Sequence, residues 1–286
     1  MTVQSCQPRP MSELVDGGLL WRAPAKLNLT LSVVARRGDG FHELDSLVAK
    51  VTLYDELLVR GRDDGEIRLK CSPFDCGPAE ENLACRAASL LLSRAGGGGA
   101  DIDLTKRIPP GSGLGGGSSD AAAALAALNE LWRLDLPRER LADLAAELGS
   151  DVPLFLNGPA ARIRGRGERV EPVEMQPFFA LLWMPELSCP TAEVYAAYDR
   201  LAGHEGKPVG GRRPQNDLEP AAREVCPELG EIAAKLSAAT ALDAHLTGSG
   251  SAMFVLADDQ RQARAAADGL PDDLPGSGAI VTLNPW

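Results

Sequence analysis

The chain of 286 residues is long enough for one large domain or two ordinary ones, with a sizeable core. Its 44% hydrophobic and 24% charged residues exclude a disordered or fibrous chain, and no run is long and apolar enough to cross a bilayer. A net charge of −11 at pH 7 excludes the basic stripe of a nucleic-acid-binding surface, but not small anionic substrates, which local donors hold.

Residues 1 to 18, MTVQSCQPRPMSELVDGG, contain no apolar segment of the kind a secretory signal needs. A cytoplasmic protein with a ragged N-terminal extension over residues 1–20 is expected. The six cysteines (Cys6, Cys71, Cys76, Cys85, Cys189, Cys226) form no CxxC pair, and the three histidines are scattered, which argues against a zinc site. Cys71 and Cys76 are close enough in sequence to pair, but reduced thiols are the expectation for a cytoplasmic chain.

In chain order, residues 27–34 (LNLTLSVV) alternate and then turn apolar, which predicts a strand. RRGDG at 36–40 is a turn signal. LVAKVTLYDELLVRG and DGEIRLKCS read as further strands. The first helix is predicted in ENLACRAASLLLSRAG, with Leu83, Ala87, Leu90 and Leu91 at helical spacing and glycine at its end. The glycines 96–99 read as a flexible turn, and ADIDLTKRI as a strand. A long helix is predicted from Asp120 to about Leu134, and another in LPRERLADLAAELGS, between proline and glycine. ARIRGRGERVEPV reads as a strand and FFALLWMP as a buried one. TAEVYAAYDRLA is helical, with Thr191 as its cap, and 203–215 is a loop. PELGEIAAKLSAAT and DDQRQARAAADGL read as helices, SAMFVLA and AIVTLN as strands. The order is strand-rich, then mixed, without regular βαβ alternation. It predicts an α+β fold of two domains, 21–170 and 171–286, with the boundary near 165–175.

The segment PPGSGLGGGSSD, 109–120, joins a strand to an alanine-rich helix. Glycines let the backbone approach a ligand closely. A helix start presents unpaired N–H groups and a partial positive charge. Together these make a phosphate cradle, to which Ser118 and Ser119 add hydroxyls. It is not the G-x-x-x-x-G-K-[ST] loop, since no lysine follows the glycines. Nor is it the dinucleotide fingerprint, since no acid follows in a βαβ context.

P-x-G-x-G-L-G-G-G-S-S before an alanine-rich helix resembles the second motif of the GHMP kinases. APAKLNLTL at 23–31 resembles their first motif, and LTGSGSAMFVL at 246–256 their third. The resemblance implies a domain like ribosomal protein S5 domain 2 followed by a ferredoxin-like domain, with ATP and substrate in the cleft between them. RRGDGFHELDSL (36–47), ELGSDVPLFLNGPAA (147–161), PTAEVY (190–195) and NDLEP (216–220) resemble the isoprenoid-pathway branch of that family. There the γ-phosphoryl group of ATP moves to the 2-hydroxyl of a diphosphocytidyl-linked methylerythritol. The resemblance thus implies a small-molecule cytidyl diphosphate partner, ATP and Mg²⁺, no nucleic acid, no membrane, and a monomer or homodimer.

By that resemblance Asp151 is the catalytic base and Lys26 its cationic partner. Chemistry agrees: phosphoryl transfer needs positioning, charge neutralisation and a group to take the hydroxyl proton. Asp151 lies between a helix end and an apolar run, where partial burial raises a carboxyl pKa. The ATP side comprises Pro109, Pro110, Gly111, Ser112, Gly113 and Leu114, then Gly115, Gly116, Gly117, Ser118 and Ser119. Asn82 and Lys106 match positions near the adenine, and Ser119 is the candidate Mg²⁺ contact. On the acceptor side, Phe41 and His42 match a cytosine-reading pair, and Tyr195 the aromatic across from them, with Thr191 beside it. Asn28 shares a strand face with Lys26 and is assigned to the acceptor diol, with Gly248, Ser249 and Gly250 of the third motif nearby. Arg162, Arg164 and Arg166 alternate, so they share a strand face from which one is expected to reach the acceptor diphosphate. Two departures stand out: Ser112 replaces glycine or alanine, and Val48-Ala49-Lys50 replaces a more apolar stretch. Homoserine- or mevalonate-type kinases have no use for DGFH, and a non-catalytic relative has none for an intact Lys26 and Asp151.

Overall fold

The computed structural model describes residues 3–15, 17–74, 76–201 and 214–285. Most of the loop expected at 203–215 lies outside them. The first departure is at the N-terminus, where strands replace the ragged extension. β1 (Val3–Ser5) pairs in parallel with the last strand of the chain, and β2 (Ser12–Val15) folds back on β3 (Gly18–Arg36) with Leu14 opposite Leu19. Strands of three and four residues carry no periodicity to read. They form because existing edges offer free backbone donors and acceptors.

β3 and β4 (His42–Arg62) make a long antiparallel hairpin closed at RRGDG, where Arg37 N donates to Phe41 O at 2.8 Å. The alternation at 27–34 marks only part of β3. From Gly18 to Val33 β3 is largely buried on both faces, so most of the strand does not show the alternation of a half-exposed one. β4 carries β6 (Gly99–Thr105) on one half and β7 (Ala160–Gly165) on the other, and β5 (Ile67–Ser72) lies parallel to β6. The single strand expected in ARIRGRGERVEPV is a hairpin of β7 and β8 (Arg169–Pro172), turning at Gly165. α1 (Leu83–Ala95), α2 (Gly116–Leu131), α3 (Arg138–Leu148) and the short α4 (Val152–Phe155) complete this half. Leu91, Leu125, Leu128, Leu141 and Leu144 of the helices form one core with Leu57, Val59, Ile102 and Leu104 of the sheet.

The glycines expected to be a flexible turn are a packing contact. Gly97 has φ +131°, and a Cβ there would stand 2.5 Å from the Trp132 ring. Only glycine fits that backbone and that space. Cys71 and Cys76 are joined as a disulfide with Cα atoms 6.3 Å apart, against the expectation of reduced thiols. The chain turns back just after β5 and brings the second cysteine to the first.

The second sheet centres on β9 (Phe179–Met184), the apolar FFALLWMP run, flanked by β12 (Met253–Ala257) and β13 (Ser277–Thr282). β11 (Ala244–Leu246) and β1 form its edges. α5 (Thr191–Leu201), α6 (Glu219–Val225), α7 (Glu228–Thr240) and α8 (Gln260–Asp268) belong to this half. β10 (Gln215–Asn216) crosses back to pair with Thr30 and Leu31 of β3. The two sheets share a core in which Leu27 and Leu53 meet Leu182, Phe254 and Val281. This fused junction fixes the loops that surround the cleft.

Candidate active site

A cleft of about 1160 Å³ runs between the two halves. Its floor is β3, where Lys26 and Asn28 lie on one face, as their spacing of two requires. Both are buried, at 5% and 4% exposure, and the Lys26 ammonium donates to Asn28 Oδ1. Asn28 is held in turn: its amide N–H donates to Thr247 Oγ1 at 2.9 Å and its Nδ2 to Ser46 Oγ at 2.8 Å. Burial lowers the Lys26 pKa to about 8, and the Asp151 charge opposes that fall. Asp151 begins α4 without using its side chain as a cap. Its Oδ1 lies 3.0 Å from where a Cβ on Gly167 would stand.

The glycine loop lies over this pair. Lys26 N donates to Leu114 O at 2.9 Å, tying strand to loop. α2 begins at Gly116, four residues before the predicted Asp120, after Gly115 in the left-handed conformation. No side chain caps it, so the first-turn N–H groups face the cleft as an anion cradle. Ser118 lines the cleft. Ser119 does not: it is 1% exposed and points into a separate cavity, so the expected metal contact at Ser119 is corrected. Successive helical residues project about 100° apart, so the two hydroxyls diverge. Leu114, fully buried in the junction core, and Gly250 also lie off the cleft wall. Ser112 explains its own departure from the pattern, since its hydroxyl donates to Pro109 O at 2.7 Å and steadies the loop.

The third motif meets this loop backbone to backbone. Ala252 N donates to Ser112 O at 3.0 Å, and a Cβ on Gly113 (φ +78°) would lie 2.5 Å from Thr247 O. Asn216 holds the motif from below, donating to Leu246 O at 3.0 Å and Gly248 O at 2.8 Å. The NDLEP stretch thus has a structural role that its position thirty residues upstream does not announce.

Lys106 and Asn82 line the cleft, but both are already engaged. Asn82 caps α1, its Oδ1 accepting from Ala84 N at 2.9 Å. Lys106 lies between Asp55 and Asp120, with Asp120 Oδ2 at 2.6 Å. Burial works against its charge, yet Asp120 and Asp55 outweigh it and raise the pKa, while burial and then Asp55 push Asp120 up. Asp55 also accepts from the Arg107 and Ile108 amides, at 2.5 and 2.8 Å. This buried triad supports the loop from beneath, and sequence reasoning missed it because Asp55 sits unmarked inside a strand.

The residues expected on the acceptor side converge. His42 stacks on Tyr195 with ring centroids 4.8 Å apart, and its Nε2 donates to Asp199 Oδ1 at 2.7 Å. Burial, with the Asp151 charge second, raises the Tyr195 phenol. Phe41 is 52% exposed at the rim, under the Arg166 guanidinium at 4.7 Å. Thr191 is not the cap of α5 but its first residue, hydrogen bonded through Oγ1 to Ser249 Oγ at 2.8 Å. Of the three arginines, Arg162 and Arg164 do share a strand face, but carboxylates hold them: Arg162 grips Asp45 through two bonds of 2.7 and 2.5 Å, and Arg164 pairs with Glu171 at 2.5 Å. Arg166 leaves the strand at the Gly165 turn, and of the three it alone lines the cleft.

A family model described as "GHMP kinases N terminal domain" matches residues 82–159, and one described as "GHMP kinases C terminal" matches 209–276. Strand, glycine loop, uncapped helix and interlocked third motif are therefore the two halves of a GHMP kinase, a class of ATP-using small-molecule kinases. A homoserine kinase structure from Cytophaga hutchinsonii, 20% identical with a TM-score of 0.67 over 95% of this chain and 96% of its own, shares that fold. The 4-diphosphocytidyl-2-C-methyl-D-erythritol kinase of Pelotomaculum thermopropionicum is 43% identical over 263 residues, 86% of this chain and 91% of the relative. A crystal structure of 4-(cytidine 5'-diphospho)-2C-methyl-D-erythritol kinase is 42% identical, with a TM-score of 0.80 over 93% of this chain and 99% of its own. The chain belongs to the family of 4-diphosphocytidyl-2-C-methyl-D-erythritol kinases.

Proposed function

We propose that the chain transfers the γ-phosphoryl group of ATP to the 2-hydroxyl of 4-diphosphocytidyl-2-C-methyl-D-erythritol. The observation that carries this reading is one cleft lined at once by Lys26 and Asp151, the uncapped start of α2 and the His42–Tyr195 stack. The residues before β9 supply the glycine loop and also Asn28, Phe41, His42 and Arg166 of the acceptor side, and those after β9 add Thr191, Tyr195 and Ser249.

The first-turn N–H groups of α2 and the Ser118 hydroxyl bind the phosphates. Asp151 accepts the proton of the acceptor hydroxyl as that oxygen bonds to the γ-phosphorus and the bond to the β–γ bridging oxygen breaks. Lys26 balances the charge of Asp151 and positions the hydroxyl, and Asn28 orients Lys26. His42, held by Asp199, and Tyr195 take the cytosine. Arg166 meets the acceptor diphosphate. Among the described residues no cluster of three or more His, Cys, Asp or Glu could hold a metal. The donors fit a Mg²⁺ ion that would arrive with the nucleotide phosphates, with the Ser118 hydroxyl of the cleft wall to hold it, rather than a dedicated carboxylate cage. Such an ion neutralises phosphate charge. No helix among the described residues is long and apolar enough to cross a membrane. We place the activity in the cytoplasm.

The test is ADP release with ATP, Mg²⁺ and each of three acceptors: the diphosphocytidyl compound, homoserine and mevalonate. Release that depends on the diphosphocytidyl acceptor and falls at least 10²-fold in Asp151→Asn is expected. Turnover on either other acceptor alone overturns the reading.

A further inference from the structure

A second cavity, of about 280 Å³, lies along the α2 face that carries Ser119, Ala122, Ala123 and Ala126. These positions recur at helical period and turn away from Ser118 and Asp120, which line the cleft. The walls are apolar, chiefly Met11, Trp21, Phe155 and Leu156. The charged groups are all cations, Arg22, Lys50 and Arg138, and no carboxylate lines the cavity.

Two of its polar atoms are orphans. Ser119 Oγ and Arg22 Nε are buried without a hydrogen-bond partner. Arg22 spends its other nitrogens on Pro10 O at 2.7 Å and Glu13 at 2.5 Å, and its Nε is 3.6 Å from Glu56, too far to bond. Lys50 is 2% exposed and donates to Asn157 O at 2.6 Å, with no carboxylate partner among the described residues. Burial, with Arg138 second, lowers its pKa to about 7. Arg138 is exposed and stands at the mouth. A buried cation without a counter-charge is costly. An unsatisfied hydroxyl in the same cavity adds to that cost. The phosphoryl-transfer mechanism uses none of these groups. Lys50 also falls in the stretch where the sequence departs from the family pattern.

We propose that this cavity binds a small organic anion, a phosphate or carboxylate head on a short apolar tail, at a site separate from the kinase cleft. The head sits on Lys50, the Ser119 hydroxyl and Arg138, and the tail lies along Trp21, Met11 and Phe155. The volume falls just below the roughly 300–1,000 Å³ of pockets for drug-sized ligands, so the tail is a few carbons long. The site borders the machinery: Phe155, one of its walls, also approaches the phosphate loop, its Cζ lying 2.8 Å from where a Cβ on Gly115 would stand.

The experiment titrates butyl phosphate and, separately, pentanoate into the full chain, with the cleft saturated by a non-hydrolysable ATP analogue. Calorimetry follows binding, and tryptophan fluorescence with a Trp21→Phe control locates it. Saturable binding at one site is expected for at least one anion, and the tighter of the two identifies the head group. It should weaken at least tenfold in Lys50→Met and in Arg138→Ala, and butanol should bind at least tenfold more weakly. Arg138→Ala alters an exposed side chain, so its effect does not depend on whether the Lys50 variant folds. Absence of saturable binding by both anions, unchanged affinity in Arg138→Ala, or equal affinity for butanol overturns the proposal.

Discussion

The charge on Lys26 makes the alkaline side of the rate profile a direct test of the proposed catalytic pair. Burial brings this ammonium from 10.5 to about 8. A pKa unit is worth 1.36 kcal/mol, so keeping the charge in place at neutral pH costs roughly 3 kcal/mol. A group with a pKa of 8 is about nine-tenths charged at pH 7 and about one-tenth charged at pH 9. Because kcat/KM reports the ionisations of the free enzyme, it should fall about tenfold between pH 7 and pH 9. The assay is coupled ADP release at subsaturating acceptor. Lys26→Arg keeps its charge throughout, so it should be slower but without this alkaline limb. Stability should move the other way. The folded pKa is below the unfolded one, so the penalty is fully present below pH 8 and is relieved as pH rises from about 8 to 10.5. Lys26→Met should therefore be inactive yet more stable at pH 7, by up to about 3 kcal/mol. A flat kcat/KM up to pH 10, or the same limb in Lys26→Arg, refutes the reasoning.

Three further outcomes are expected. Lys106→Met leaves Asp55 and Asp120 facing each other in the interior and should cost about 3–5 kcal/mol in urea unfolding. Adding Asp120→Asn should restore part of that, and no restoration would show that the triad is not electrostatically coupled. Arg166→Ala should raise the acceptor KM severalfold while sparing kcat, whereas Arg162→Ala, engaged with Asp45, should leave KM unchanged; the opposite pattern would reassign the diphosphate contact. Gly97→Ala forces a methyl into the Trp132 ring and a side chain into a positive φ, and should destabilise by about 2–4 kcal/mol, read as a lower Tm.

The cleft lining is largely legible in the sequence because a phosphate cradle needs glycine and a helix start at fixed spacing. Lys26 and Asn28, two apart on a strand, needed only the alternation of β structure. What stayed hidden depended on partners distant in sequence. Asp55 reads as one more strand residue until the fold brings Lys106 and Asp120 to it. Asp199 gains its meaning only when α5 is set beside the start of β4. Ser119 departs from expectation because the helix starts early: with α2 beginning at Gly116 rather than Asp120, the two serines point apart. The arginines show the limit of periodicity: it put Arg162 and Arg164 on one face, but neither the Gly165 turn nor their carboxylate partners are written in the spacing. The N-terminal strands lacked any signal because their pairing is supplied by edges made elsewhere.

The interlock of the two glycine loops has a consequence for the protein during synthesis. The phosphate loop around Gly113 is matched by Thr247 and Gly250, residues that leave the ribosome more than a hundred positions later. Domains tend to fold N-terminal first, so the nascent chain builds its N-terminal half, glycine loop included, well before the C-terminal half can close over it. Until the late segment emerges, such a half-built kinase has no complete site in which to waste ATP on water. Closure is delayed further still, because the first strand to be made, Val3–Ser5, waits for the last, Ser277–Thr282, before it has a partner.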